Sequence, residues 1–288
     1  MNTQTAEIGS ARADFHTHST ASDGTLAPAD LVHQASRRGL SIIALTDHDT
    51  TGGLDEAIAA GEALGVRVIP GIELSTDVTA GEVHMLGYGI DQRNSTLQDT
   101  LAHFRQSRVE RAERIIARLR DLGVNLPEGS VQPSSGDASI GRPHIARAMI
   151  EAGYVRSVTE AFDRYLGNDK PAYIASERKP TPTEAIQLII AAGGLPVHAH
   201  PFTSETFPDS LPELVTAGLV GIEVYYAEYS EAQRETLAQI AAAHGLLATG
   251  GSDYHGEQFK QRRVLGSVDL PVATVQRLLQ RLDARTAR

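Results

Sequence analysis

Short apolar runs alternate with segments of helical pattern along most of this chain, and this alternation constrains its fold more than any other feature. Residues 41–45 form a nearly continuous apolar run of strand length, as in a strand covered on both faces. The segment before it, residues 28–38, begins with Pro28 and is followed by Gly39, which predicts a helix. About seven runs of strand length recur in this way. We therefore expect an α/β fold in the form of a closed or nearly closed barrel.

The alternation stops between residues 91 and 180 and then resumes. Residues 97–122 carry an apolar stripe at helical spacing and are followed by Gly123, which predicts a long helix. Shorter helices are expected from Pro143 and near Val158. We interpret residues 13–90 and 181–288 as the barrel domain, and residues 91–180 as a helical insertion that covers the substrate site.

The composition argues against several classes of protein. With 41% hydrophobic residues the chain can form a core, yet no apolar run is long enough to span a membrane. We interpret the polar residues 1–12 as a tail rather than a secretion signal. Because cysteine is absent, any metal has to be held by His, Asp or Glu, and we expect a cytoplasmic protein. The net charge of −10 argues against binding duplex nucleic acid, and no obligate protein partner is evident.

Imidazole and carboxylate side chains recur where the predicted strands end. Residues two apart on an extended strand face the same side, so His16 and His18 can converge on one point. An isolated pair of this kind is equally well explained by two hydrogen-bonded histidines. Nine such residues are too many for one ion, so we predict two or three ions that share a carboxylate, with Glu73 as the bridge. The nine are His16, His18, Asp23, His48, Glu73, His84, His200, Asp253 and His255.

The motifs around these residues follow the order of a known family. The chain resembles the PHP family, named for polymerase and histidinol phosphatase, in residues 16–18, 46–49, 71–73, 198–201 and 251–255 and at His84. Within that family it is similar to stand-alone phosphoesterases with a helical insert, including 3′,5′-nucleoside bisphosphate phosphatases and 5′-to-3′ exonucleases. The resemblance implies a distorted, TIM-like (β/α)7 barrel with two or three manganese, iron or zinc ions.

The resemblance also implies roles for individual residues. A hydroxide that bridges two ions would attack the phosphorus of a nucleotide phosphate ester, and His198 or His255 would protonate the leaving oxygen. Asp47 and Asp49 would orient ligands without binding metal. The implied ligand sets are His16, His18, Glu73 and Asp253 for one ion, Glu73, His84 and His200 for a second, and Asp23, His48 and His255 for a third.

The predicted insertion carries arginines that face inward. A helical wheel places Arg108 in the middle of the apolar stripe and Arg111 at its edge. An inward guanidinium needs a partner, which is either a barrel carboxylate or a substrate phosphate. Arg142 precedes Pro143, and a proline at the first helical position leaves backbone N–H groups available to an anion, although many helices begin so without a ligand. The family resemblance supports substrate contacts at Arg108, Arg111, Arg142 and His144.

Two other functions are compatible with the same residues. A histidinol-phosphate phosphatase shares the metal scaffold, although an arginine-rich insertion is better suited to additional phosphate contacts. A non-catalytic metal-binding accessory module is expected to have lost ligands or to be fused to a polymerase, and neither feature is seen. Metals and arginines together favour a small or single-stranded substrate with two phosphates over duplex nucleic acid or a membrane.

Overall fold

A computed structural model describes residues 12–76, 78, 83–131, 140–175, 179–257 and 262–286, so the predicted tail lies outside it except for Arg12. None of the helices in these ranges is long and apolar enough to cross a membrane. The strands are β1 (Ala13–Thr17), β2 (Ile42–Leu45), β3 (Arg67–Thr76), β4 (Val83–Tyr88), β5 (Leu195–His198), β6 (Gly221–Tyr226) and β7 (Leu247–Gly251). The α-helices are α1 (Pro28–Arg37), α2 (Leu54–Leu64), α3 (Ser95–Asp121), α4 (Arg142–Glu151), α5 (Val158–Ala161), α6 (Pro182–Ala191), α7 (Leu211–Thr216), α8 (Glu231–Ala243) and α9 (Val272–Thr286).

The strands form one sheet in the order β1 to β7. β1 to β3 are parallel, and so are β5 to β7, whereas β4 is antiparallel to both of its neighbours. Thr17 pairs with Tyr254 beyond β7, and the N–H of His18 donates to the Tyr254 carbonyl at 2.9 Å. These contacts join the first and last strands, so the expected distorted α/β barrel is confirmed, with β4 as its departure from a parallel arrangement.

Alternate residues of the strands pack into two layers. On β2, Ile43 and Leu45 join the cluster beneath the outer helices, whereas Ile42 and Ala44 join a second cluster inside the barrel. Helix α9 packs against this inner cluster, and its Leu282 lies beside Gly89, which follows β4. Helix α9 therefore covers the rim at which β4 ends, and the opposite rim, at which β4 begins, is left for polar residues.

Helix α3 belongs to two cores. Leu97 and Leu101, near its start, pack with the outer layer of the barrel. Ala112 and Ile115, about three turns after Leu101, pack in a separate cluster with residues of α4, α5 and the π-helix Phe162–Leu166. We call residues 108–174 the cap, of which residues 132–139 are not described. Because one continuous helix contributes to both cores, it fixes the cap relative to the barrel.

Candidate metal centre

Polar residues from several strands meet at the rim where β4 begins. Glu73 lies within β3 rather than at its end, and His48 pairs with it as an isolated bridge beyond β2. His84 is the second residue of β4. The prediction of ligands at carboxyl ends therefore needs one correction. Because β4 is antiparallel, its amino end reaches the rim where its neighbours have their carboxyl ends.

The convergence of His16 and His18 depends on an irregular strand. Strand β1 ends at Thr17, and its register with β2 shifts between Asp14 and Thr17. An irregularity of this kind redirects side chains and is common next to functional sites. Both imidazole rings are buried, and their centres are 5.1 Å apart.

The carboxylate of Glu73 is the centre of the site. It is completely buried, and imidazole nitrogens of five histidines lie close to its two oxygens. A single carboxylate thus links ligands that come from different strands. From Oε2 the distances are 3.1 Å to His16 Nε2, 3.2 Å to His18 Nε2 and 3.3 Å to His48 Nδ1, and from Oε1 they are 2.9 Å to His84 Nδ1 and 3.1 Å to His200 Nε2.

Two further carboxylates lie beside this cluster. Asp253 Oδ1 is 3.4 Å from His16 Nε2 and 3.2 Å from His18 Nε2. Asp23 Oδ1 is 3.1 Å from His255 Nε2. The Nδ1–H of His255 donates to the Asp253 carbonyl at 2.9 Å, which leaves the lone pair on Nε2 directed at the site. This is the usual arrangement of a histidine that binds metal.

The ligand atoms form three overlapping groups, within each of which all atoms lie within 4.8 Å of one another. The first group has the four residues expected for one ion. In the group around His84, His48 occurs in place of the expected His200, although His200 also contacts Glu73. The groups are His16, His18, Glu73 and Asp253; His18, Asp23, His48 and His255; and His48, Glu73 and His84.

The donor atoms of the site are better suited to binding metal ions than to forming hydrogen bonds with one another. Both ring nitrogens of His18 and Nδ1 of His48 are buried without a hydrogen-bond partner among the described residues. Each of these residues nevertheless lies close to a carboxylate oxygen. Buried nitrogen lone pairs beside carboxylates require a proton or a cation between them. Nitrogen and oxygen donors without sulfur suit manganese, iron or zinc.

The pKa shifts of the ligand residues show that the site stabilises positive charge. Burial favours the neutral acid, yet the surrounding imidazoles hold the pKa of Glu73 well below its usual range. Burial also opposes charge on His18, but Asp253 and Glu73 raise its pKa to about 9. Burial lowers the pKa of His48 to about 3, although Glu73 and Asp23 oppose this shift. The positive charge of protonated histidines therefore offsets only part of the negative charge of the carboxylates, which again fits bound cations.

His198 does not suit the predicted role of proton donor. It packs edge-to-face on Phe207, which belongs to the outer cluster, and its ring nitrogens have no hydrogen-bond partner among the described residues. Burial and the nearby His200 lower the pKa of His198 to about 3. His198 and His200 are two residues apart, so on a regular strand both would face the same side. Strand β5 instead ends at His198, and His200 has a left-handed backbone with φ of 29°, so the alternation is broken.

Three functional residues were missed at the sequence level. Buried Glu223, on β6, accepts from His16 Nδ1 at 2.9 Å and from the backbone N–H of His200 at 2.8 Å. Arg263 donates to Asp253 Oδ2, and the Tyr226 hydroxyl donates to the same oxygen at 3.0 Å. For Glu223 a signal existed, because a lone carboxylate inside the apolar strand 221–226 is costly to bury without partners.

The predicted orienting aspartates each hold a neighbouring segment. Asp47 accepts from Ser19 N and Oγ at 2.8 and 2.7 Å, and also from Ser22 Oγ, so it fixes the loop that carries Asp23. Asp49 accepts from Arg108 Nε at 2.9 Å and also from Arg108 Nη2, which donates to Ser75 Oγ at 2.9 Å. A barrel carboxylate is thus one partner of Arg108 in this structure, and contact of Arg108 with a substrate phosphate stays a prediction.

Two other arginines of the cap lie close to one aromatic ring. The guanidinium carbons of Arg111 and Arg142 each lie 5.7 Å from the ring centre of Tyr173. Arg142 also lies 5.4 Å from the ring centre of Phe162. Backbone carbonyls fix both guanidiniums, since Arg111 donates to Ile174 at 2.7 Å and Arg142 donates to Leu166 at 3.1 Å.

His144, the fourth predicted substrate contact, forms a hydrogen bond within the protein. Its Nδ1 accepts from the Gly141 N–H at 3.0 Å and caps helix α4. Burial lowers the pKa of His144. Because Nδ1 is already hydrogen-bonded within the protein, a substrate contact through that nitrogen is not supported.

Two cavities lie between the barrel rim and the cap. The smaller, of about 190 Å³, is lined by Arg108, Arg111, Arg142 and Lys179 on one side and by Asp23, His48 and His84 on the other. The larger, of about 640 Å³, shares the same three ligand residues. It is otherwise lined by Glu73, Arg142, Val158, Thr159, Phe162, Asp163, Gly167, Asn168, His200, Thr203, Tyr226, Asp253, His255 and Arg263. Residues of the candidate metal centre thus line both cavities.

An α/β barrel with a cluster of histidines and carboxylates at one rim defines a metal-binding barrel protein. The PHP domain family matches residues 14–125. A 3′,5′-nucleoside bisphosphate phosphatase from Chromobacterium violaceum is 35% identical over 266 residues, which are 91% of this chain and 93% of the relative. A 5′-3′ exoribonuclease from Haemophilus influenzae is 35% identical over 84% of this chain and 89% of its own.

A solved structure agrees with these relatives. It is that of a Bifidobacterium adolescentis protein, provisionally assigned as a metal-dependent phosphoesterase, with a TM-score of 0.86 and 35% identity. The match covers 94% of this chain and 96% of the other. The present chain belongs to the PHP family.

Proposed function

We propose that this protein is a metal-dependent phosphoesterase of nucleotides, with nucleoside 3′,5′-bisphosphates as its preferred substrates. One observation carries the proposal: Arg108, Arg111 and Arg142 line the same small cavity as His48 and His84. A site of this form binds one phosphate at the metal centre and a second at the arginines. The names of the relatives from Chromobacterium violaceum and Haemophilus influenzae support this substrate class.

The metal centre would be held by the three overlapping ligand groups, two of which contain Glu73. The donor set suits two or three ions of manganese, iron or zinc. When bound, such ions supply water of lowered pKa and offset charge on phosphoryl oxygens. His255 serves as a ligand in this proposal, since its Nε2 faces Asp23 and its Nδ1 is committed to a backbone carbonyl. We assign the role of proton donor neither to His255 nor to buried His198.

The protein's own contribution is a set of fixed guanidiniums. Asp49 and Ser75 hold Arg108 in place before any substrate enters. Although burial opposes the charge, Arg108 keeps the pKa of Asp49 below its usual value, so the pair stays ionised. Arg111 and Arg142 are likewise held close to the ring of Tyr173. Donors that need no reorganisation stabilise charge on a phosphate more effectively than mobile ones.

The 5′ end of a short oligonucleotide is a second candidate substrate. The cavity of about 640 Å³ lies within the range of small-molecule sites, whereas that of about 190 Å³ is suited only to a small group such as phosphate. A 5′-phosphate in the small cavity leaves the large one for the next nucleotide. The name of the Haemophilus relative favours this alternative.

A substrate panel at matched concentrations tests the proposal. It contains adenosine 3′,5′-bisphosphate, AMP, a 5′-phosphorylated trinucleotide, histidinol phosphate and duplex DNA. We expect the highest kcat/KM for the bisphosphate or the trinucleotide. Preference for histidinol phosphate would show that the cap arginines do not select a second phosphate, and efficient cleavage of duplex DNA would contradict a covered site.

A further inference from the structure

Glu223 is a buried carboxylate that the proposed metal centre does not use as a ligand. It lies in the middle of β6, between Ile222 and Val224, which both pack in the outer cluster beneath the helices. Because side chains alternate along a strand, Glu223 points the other way, into the barrel. Its side chain is completely buried, so both of its oxygens depend on partners within the protein.

One oxygen of Glu223 determines which nitrogen of His16 carries the proton. Glu223 Oε1 lies 2.9 Å from His16 Nδ1, and an ionised carboxylate can only accept, so Nδ1 has to donate. The other nitrogen, Nε2, faces Glu73 Oε2 at 3.1 Å and Asp253 Oδ1 at 3.4 Å. The contact with Glu223 therefore directs the lone pair of His16 at the cluster of ligand oxygens.

The second oxygen of Glu223 holds the backbone of another ligand. Glu223 Oε2 accepts from the N–H of His200 at 2.8 Å. His200 has a left-handed backbone with φ of 29°, which is uncommon for a residue other than glycine and requires support from its surroundings. From this backbone the imidazole reaches Glu73 Oε1 at 3.1 Å. Glu223 thus fixes one histidine on each side of the central carboxylate.

We propose that Glu223 is a positioning residue, which raises the metal affinity of the site by orienting His16 and His200 without binding an ion. This inference rests on the proposed function, because it assumes that the histidines bind metal. A carboxylate that orients a histidine ligand typically raises metal affinity by about tenfold to a hundredfold.

The test is metal binding by E223Q, measured without substrate. The amide of glutamine has one accepting oxygen, so it can serve His16 or the His200 backbone but not both. We expect the Kd for manganese to rise about tenfold to a hundredfold. The visible spectrum of the cobalt-substituted protein should also change. E223D is the second variant, since it keeps the charge but is too short to span both contacts, and its affinity should fall as well.

E62Q is the control. Glu62 is an exposed glutamate on α2 and belongs to none of the three ligand groups. We expect E62Q to leave the Kd for manganese within about twofold. Native affinity in whichever Glu223 variant folds would overturn the inference, and so would an equal loss in E62Q. Failure of the native protein to bind manganese would contradict the proposed function instead.

Discussion

At the scale of single residues, the account depends most on Glu73, the carboxylate shared by two of the three ligand groups. We predict that E73Q loses more than one equivalent of metal, because removal of a shared charge weakens both groups. Elemental analysis after dialysis measures this loss. E62Q, which changes an exposed glutamate on α2, is the control. Unchanged metal content in E73Q would remove Glu73 from the centre.

Arg108 is the residue with the sharpest kinetic prediction. R108A should lower kcat/KM for adenosine 3′,5′-bisphosphate by about tenfold to a hundredfold, which is about 1.5–3 kcal/mol for a lost charge-assisted contact. Its metal content should stay native, since Arg108 contacts Asp49 and Ser75 and no proposed ligand in the structure described.

R114A is the matched control for this variant. Arg114 is exposed on the same helix, α3, and should be dispensable for activity. A thermal midpoint is needed as well, because R108A leaves the buried Asp49 without its charged partner. Native kinetics in a folded R108A would show that the role of Arg108 is only to pair with Asp49.

At the scale of elements, the cap positions its arginines through Tyr173. We predict that Y173A raises KM for adenosine 3′,5′-bisphosphate by about threefold to thirtyfold, because each cation–π contact contributes about 0.5–2 kcal/mol. KM for AMP should change little, since AMP has no second phosphate for Arg111 and Arg142 to bind. Y173F keeps the ring and should behave as the native protein. An equal loss for both substrates would indicate a general defect of the cap.

Local patterns predicted the elements well, because they depend on neighbours in the sequence. The helix expected at residues 28–38 is α1 (Pro28–Arg37), and the apolar run at residues 41–45 is β2 (Ile42–Leu45). The direction of β4 was not predictable in this way, since it depends on pairing between distant strands. The orientation of His198 was not predictable for a related reason, because the end of β5 and the left-handed His200 break the alternation.

Contacts between polar residues of the site that are distant in the sequence were likewise not predictable from local patterns. Eight of the nine ligand candidates lie in the family motifs, with Asp23 as the exception, and the structure brings all nine to one rim. The pairing of Asp49 with Arg108 was left open, because it joins residues 59 positions apart on different cores. Glu223 was overlooked because its two partners, His16 and the backbone of His200, are distant in the sequence and only the fold brings them together.

At the scale of the whole molecule, the metal centre should also stabilise the fold. It joins β1, β3 and β4 with the segments after β2, β5 and β7. A ligand that binds only the folded state raises its stability in proportion to the logarithm of concentration over Kd. We therefore predict that chelation lowers the thermal midpoint by several degrees and that manganese restores it. A midpoint unaffected by chelator and manganese would argue against ions bridging these strands.

The most direct test of the central claim is phosphate release from adenosine 3′,5′-bisphosphate by native protein stripped of metal, followed by addition of manganese. The account predicts that protein shown by elemental analysis to be metal-free has lost nearly all turnover, and that manganese recovers it. Recovery should saturate at two or three equivalents, because the ligand atoms form three overlapping groups. Full turnover by the metal-free protein would contradict the account.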